Sequence, residues 1–202
     1  MATNPLVRGA DGRLRCFWCA AHDDYTAYHD SEWGFPVADD HRLFEKLCLE
    51  GFQSGLSWLT ILRKREAFRR VFAEFDFARI ARFGSRHVER MLQDPAIVRH
   101  RGKIESTIGN ARRALDLVEE FGSVSAYVWR YEPPDRKSRA AGKGPSVEAV
   151  ALSKDLKTRG FTFVGPTTVY AFMQAMGLVN DHAVGCAFHA RVESARRRFR
   201  RP

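Results

Sequence analysis

Two sets of residues in this chain are of types that do chemistry. The first is His182 and Cys186, four apart and just beyond the tight turn Val179-Asn180-Asp181. On a helix that spacing puts both side chains on one face, where they can share a metal ion. A tetrahedral Cys2His2 site then needs a second cysteine and a second histidine. The one dense Cys/His region elsewhere is 16–29, with Cys16, Cys19, His22 and His29. Residue types alone do not choose between Cys16 and Cys19, or between His22 and His29. Four protein ligands leave no open position, so the ion is expected to be one structural zinc joining the two ends of the chain, and not an activator of water.

The second set is Glu50 amid Tyr25, Tyr28, Trp33 and Trp58. Aromatics beside a helix are usually core, and a glutamate just before a glycine ordinarily reaches for solvent. The functional alternative is a nucleobase pocket, in which aromatic faces stack a planar base and a carboxylate accepts hydrogen bonds from its amino edge. A cationic ring gains further from the π-faces and the negative charge. A third feature, the glycine-bracketed turn from Gly160 to Gly165 followed by Pro166, presents backbone N–H groups to an anion such as a DNA phosphate. Arg159 and the hydroxyls of Thr167 and Thr168 stand nearby in sequence. GFTFVG is a weak pattern alone and gains weight from the helix expected on either side.

The elements that position these residues read as helices. Asp39 or Asp40 caps DDHRLFEKLCLEG, in which Leu43, Leu47 and Glu50 share a stripe, so a carboxylate continues an apolar face. LSWLTILRKREAFRRVFAEF reads as one long amphipathic helix with Leu59, Leu62, Phe68, Phe72 and Phe75 inward. Asp76 and Ser85 cap two short helices, GKIESTIGNARRALDLVEEFG closes on Gly122, Ser123 caps VSAYVWRY, and Ser146 begins a helix leading to the glycine turn. A second helix start is expected to carry His182 and Cys186. The Pro- and Gly-rich segment 132–145 reads as a connector. Period-two alternation is nowhere sustained, so the class is all-α.

The chain has 202 residues, 45% of them hydrophobic and 12% aromatic, enough for one well-packed domain or two lobes sharing a cleft. No apolar stretch suggests export or membrane insertion, so a cytoplasmic protein with reduced thiols is expected. The formal charge of +9 is concentrated at the end: residues 190–202 hold six arginines and one glutamate, supplying +5 of it. Such a tail is usually a solvated helix or a disordered end, and otherwise attracts nucleic acid non-specifically.

Five ordered motifs, AYHDSEWG, CLEGFQSGLSW, HRGKIESTIGNAR, RGFTFVGPT and GLVNDHAVGC, closely resemble those of the DNA-3-methyladenine glycosylase I family. The resemblance runs from about Arg15 to Cys186. It implies an all-α helix-hairpin-helix glycosylase, residues 15–189, between a flexible arm (1–14) and the Arg-rich tail (190–202). It implies hydrolytic excision of 3-methyladenine, flipped out of double-stranded DNA containing alkylated purines, by a monomer. By motif it places the zinc ligands at Cys16, His29, His182 and Cys186, and the base pocket at Glu50, Tyr25, Tyr28, Trp33 and Trp58, with Glu50 as the acting carboxylate.

Phe52 and Ser54 depart from the GQQAGLSW expected of the family. Asn180 stands where many helix-hairpin-helix glycosylases carry an aspartate, and Thr167 stands where bifunctional members carry a lysine. No Schiff-base nucleophile is thus available at that position, and a monofunctional enzyme is implied. Two rival readings are a module that grips alkylated DNA without cutting it, and a non-specific nucleic-acid binder acting through the arginine tail.

Overall fold

The computed structural model describes residues 6–134 and 144–202. Most of the connector expected at 132–145 therefore lies outside the described residues. The helix that carries Glu50, α2 (Asp40–Gln53), starts on a cap: the Asp39 side chain accepts the Arg42 N–H at 2.8 Å. Leu43, Leu47 and Glu50 are all buried along it, as their spacing predicts. Before it lies α1 (Asp23–Ser31), and after it α3 (Trp58–Val71), capped by Ser57. Two short helices follow, α4 (Phe77–Ile80), capped by Asp76, and α5 (Ser85–Leu92), whose cap is Gly84 rather than Ser85.

The long α6 (Arg101–Phe121) ends at Gly122 in the left-handed conformation. Ser123 caps α7 (Val124–Trp129), and Ser146 caps α8 (Val147–Thr158). Seven residues join α8 to α9 (Pro166–Ala175), whose N-cap is Gly165 and whose first residue is Pro166. Gly160 opens that connection at φ +88°, a conformation in which a side chain would be strained. One continuous apolar core runs from Tyr28 through the phenylalanines of α2 and α3 to Val179.

Five expectations need correction. The chain is mostly helical but not wholly: β1 (Leu6–Arg8) and β2 (Leu14–Cys16) pair antiparallel, with Leu6 opposite Cys16. From Leu6 onward the segment expected as a loose arm is a hairpin, and buried Arg15 fastens it by ion pairs to Asp11 at 2.6 Å and Asp30 of α1 at 2.8 Å. Three-residue strands are too short to show alternation in a sequence.

The helix expected to run through Phe75 stops at Val71. Ala73, Glu74 and Phe75 all take positive φ, which turns the chain sharply while keeping Phe72 and Phe75 in the core. Residues 182–186 form a turn, not a helix. The Cys186 N–H bonds back to Ala183 O at 2.9 Å, and the Ala187 N–H bonds across to Leu14 O of β2 at 2.8 Å. The Arg-rich tail carries α10 (His189–Arg198), and its Arg196 is fully buried. That guanidinium donates to Gly177 O and Leu178 O, both at 2.8 Å, and pairs with Glu132 at 3.2 Å. Among the described residues, no helix is long and apolar enough to cross a membrane.

Candidate active site and metal centre

A cavity of about 440 Å³ opens between α1, α2 and the start of α3 on one side and α9 on the other. Tyr25 and Tyr28 reach it from α1, Glu50 from α2 and Trp58 from the first position of α3. Trp33 lines it as well, so the five residues of the expected base pocket share one cavity.

Their chemistry is more specific than a generic aromatic pocket. Glu50 is buried, and its Oε1 lies 2.7 Å from the ammonium of Lys46, one helical turn earlier. That ammonium also donates to Tyr28 Oη at 2.9 Å and lies 3.1 Å from the centre of the Trp58 ring. Burial pushes Lys46 down to about 8 against the opposing pull of Glu50. Burial, with Glu50 adding to it, pushes the Tyr25 phenol up to about 12 and Tyr28 well above its ordinary value, so both rings stay neutral. The buried Trp58 indole N–H has no hydrogen-bond partner among the described residues. A second carboxylate, Asp181, lines the same cavity and accepts hydrogen bonds from Tyr170 Oη at 2.5 Å and from Gln174 at 2.8 Å.

The metal-type cluster adjoins this cavity, with Cys16 lining it. The ligand atoms of Cys16, His29 and Cys186 lie within 4.8 Å of one another, all three residues buried. Cys186 Sγ is 3.6 Å from His29 Nε2, and the Ala183 N–H points at Cys16 Sγ at 3.3 Å. Of two neighbouring thiols, one keeps a proton and the other yields it. Contact with Cys186 raises Cys16, while Cys186, helped by His29, falls well below the usual thiol range. Burial opposes charge on His29, but the hydrogen bonds it can donate to Cys186, Cys19 and Asp30 outweigh it and lift it to about 10.

Both histidines are oriented for ligation. Asp30, held by Arg15, takes the Nδ1 side of His29 at 2.8 Å and leaves Nε2 facing Cys186. Asn180 Oδ1 sits 3.1 Å from His182 Nδ1, which leaves the buried Nε2 of His182 without a partner among the described residues. Burial and the neighbouring His29 lower His182 to about 4, so its ring is neutral, the ligating form. The His29 and His182 rings are 4.7 Å apart between centroids. Of the four expected ligands the mutual cluster holds three, and His182 lies outside it with its ring against His29 and Trp33; its orphaned buried nitrogen fits a fourth ligand. Cys19 instead donates to Cys16 O at 3.1 Å, and His22 is exposed at the N-cap of α1.

A scan against protein families matches the methyladenine glycosylase model over residues 18–190. The chain belongs to the methyladenine glycosylase family. DNA-3-methyladenine glycosylase 1 of Escherichia coli K12 is 48% identical over 177 residues, 85% of this chain and 95% of its own. DNA-3-methyladenine glycosylase of Haemophilus influenzae Rd is 42% identical over 180 residues, 85% of this chain and 96% of its own. Among solved structures, a Tyr-to-Phe variant of 3-methyladenine DNA glycosylase I in complex with 3-methyladenine superposes with a TM-score of 0.80. It is 36% identical, covering 86% of this chain and 96% of that one.

The remaining expected residues are more dispersed. Thr167 lines the cavity at the start of α9, whereas Arg159 is held by Glu120 and by Asp155 at 3.1 Å, over the faces of Phe121 and Tyr127. Lys46 was not among the residues singled out from the sequence, although it lies four before Glu50 and so on the same helical face. Asp30 and Asn180 were missed as supports for the two histidines. Asn180 sits two residues before His182, a spacing at which a short polar side chain commonly meets nearby groups.

Proposed function

We propose that this chain is a monofunctional, zinc-containing DNA glycosylase of the helix-hairpin-helix type that flips 3-methyladenine out of alkylated DNA and hydrolyses its N-glycosidic bond. The observation that carries this reading is Glu50, a buried carboxylate in an aromatic cavity whose Trp58 face already holds a cation at 3.1 Å. 3-Methyladenine in DNA carries a positive charge on the base and leaves as a neutral molecule, so no strong general acid is required. Tyr25, Tyr28, Trp33 and Trp58 supply the faces that stack the base, and Glu50 accepts hydrogen bonds from its amino edge. Asp181, across the cavity, offers negative charge to the sugar as oxocarbenium character develops and water adds.

The turn 160–165 and the N-terminus of α9 offer backbone N–H groups to a DNA phosphate, with the hydroxyls of Thr167 and Thr168 beside them. Arg159, held by its two carboxylates, contributes charge nearby. Cys16, His29, His182 and Cys186 would hold the zinc, which ties β2, α1 and the 180–186 turn together and has no open position for water. Thr167 leaves that wall of the cavity without an amine, and Lys46 is buried against Trp58 and paired to Glu50.

The decisive measurement is release of bases from methylated DNA, separating 3-methyladenine from 7-methylguanine, with borohydride trapping in parallel. Preferential release of 3-methyladenine and no trapped covalent adduct are expected. Tight binding without release would favour the non-catalytic module instead, and a trapped adduct would overturn the monofunctional assignment.

A further inference from the structure

Glu50 has a counter-ion within the protein itself, and that counter-ion stands where a cationic base would be recognised. Lys46 already uses the Glu50 carboxylate, the Trp58 face and the Tyr28 hydroxyl at 2.7, 3.1 and 2.9 Å. Two cations cannot share one buried carboxylate without strong repulsion.

The other charges around Lys46 are already matched. On the α1 side Glu32 is paired with Arg65 of α3 at 2.7 Å, with Arg42 of α2 beside them in the same small cleft. On α2 itself Glu45 is paired with Arg69 of α3 at 2.9 Å. Across the cavity Asp181 is occupied by Tyr170 and Gln174, and the Tyr25 and Tyr28 phenols hold their protons. Lys46 is the group nearest Glu50 whose charge can change within the ordinary pH range, because burial brings it down to about 8.

Resting on the glycosylase reading above, we propose that Lys46 is the charge selector of the base pocket, a specificity-determining residue whose ammonium neutralises Glu50 until a cationic base enters. The Lys46 ammonium then gives its proton to solvent, leaving a neutral amine, and Glu50 pairs with the cationic ring. One N–H bond breaks at Lys46, its electron pair staying on nitrogen and its proton passing to water, and no bond forms between the lysine and the base. When the base departs neutral, the amine takes a proton from solvent and pairs with Glu50 again. An undamaged, neutral adenine finds Glu50 already satisfied and gains little from it, so the lysine turns the carboxylate into a reader of charge rather than of shape.

The test is calorimetric titration of the full-length protein at pH 7 with the 3,9-dimethyladeninium cation, in which a methyl replaces the sugar, in two buffers of different ionisation enthalpy. About one proton should be released per cation bound, and affinity should rise by up to about tenfold per pH unit below the Lys46 titration and level off above it. Neutral 3-methyladenine, titrated at pH 7.5, should release none. Lys46→Met should abolish both the proton release and the pH slope. Lys46→Arg, which keeps a charge it cannot shed, should bind the cation at least about tenfold more weakly than Lys46→Met.

No proton release by the parent protein, with equal affinity at pH 6 and pH 8, would overturn the proposal, since Lys46 would then have stayed charged or swung toward Glu32 and Glu45. That result needs no variant to fold. Failure of the glycosylase reading looks different, as absence of 3-methyladenine release from methylated DNA at any pH, and it removes this proposal too.

Discussion

Replacing Glu50 with glutamine separates the two things its carboxylate does. Glu50 and Lys46 are both buried and 2.7 Å apart. Breaking a buried ion pair from one side costs about 3–5 kcal/mol, because the other charge is left uncompensated. The loss here is capped lower, at about 1.4 kcal/mol at pH 7, since burial has already brought Lys46 down to about 8 and it escapes by losing its proton. Glutamine keeps one acceptor oxygen for the lysine, so the expected loss is about 1 kcal/mol. For a chain of this length that lowers the melting temperature by roughly 2–4 °C. Lys46→Met in the same molecule removes the stranded charge, so the double variant should recover most of the melting temperature.

Activity should behave otherwise. Charge-assisted hydrogen bonds to the base are worth about 1.5–3 kcal/mol, so single-turnover release of 3-methyladenine should fall by about 10- to 150-fold in Glu50→Gln. It should stay low in the double variant, where stability is restored but the carboxylate is still missing. Release within about twofold of the parent in both variants would refute the role given to Glu50. Failure of the double variant to regain stability would refute the pairing with Lys46.

Metal analysis of the purified protein should give about one zinc per chain, and Cys186→Ala should lower the melting temperature and loosen amide protection in the 6–16 hairpin; unchanged melting of a metal-free preparation would exclude a structural ion. Gly177→Ala should destabilise by more than about 2 kcal/mol, read in denaturant unfolding. Its φ is +79°, and an added Cβ would lie 2.5 Å from the backbone nitrogen of Pro36. Arg196→Ala should cost about 3 kcal/mol of stability with DNA affinity unchanged, because its guanidinium is spent on Gly177 O, Leu178 O and Glu132. Arg197→Ala and Arg198→Ala, both exposed, should leave melting unchanged and reduce the salt dependence of DNA binding.

What could be read from the sequence was local. Asp39, Asp76, Ser123 and Ser146 each accept an N–H three residues on, so the type of residue and the start of an apolar period were enough to find those helix starts. Gly122 is equally local. What escaped depends on partners far away in the chain. Arg15 reads as surface charge until Asp30 is brought to it, and Arg196 reads as a basic tail until the carbonyls of Gly177 and Leu178 face it. The reversal at Ala73–Phe75 carries no glycine to announce it. Lys46 escaped for a different reason: a lysine on an apolar helix face looks like a solvated residue, and only the Glu50 and Trp58 it meets show otherwise.

The metal cluster and the base cavity were legible as two separate features, and their adjacency was not. Trp33 joins them. Its ring stacks on His29 at 6.1 Å and tilts against His182 at 4.6 Å, while Trp18 packs edge-on against it at 4.9 Å and continues to Tyr25 at 4.9 Å. Trp18, Tyr25, Trp33 and Cys16 all line the cavity. The side chains that would ligate zinc are therefore the back support of rings that would stack the base. An ion held there with no open coordination position would act on catalysis by fixing aromatic faces, since a stacked base tolerates little displacement of its platform. Partial metal loss should accordingly weaken 3-methyladenine binding at temperatures where the chain is still folded. Loss of binding only together with global unfolding would mean that the aromatic wall holds its shape without the ion.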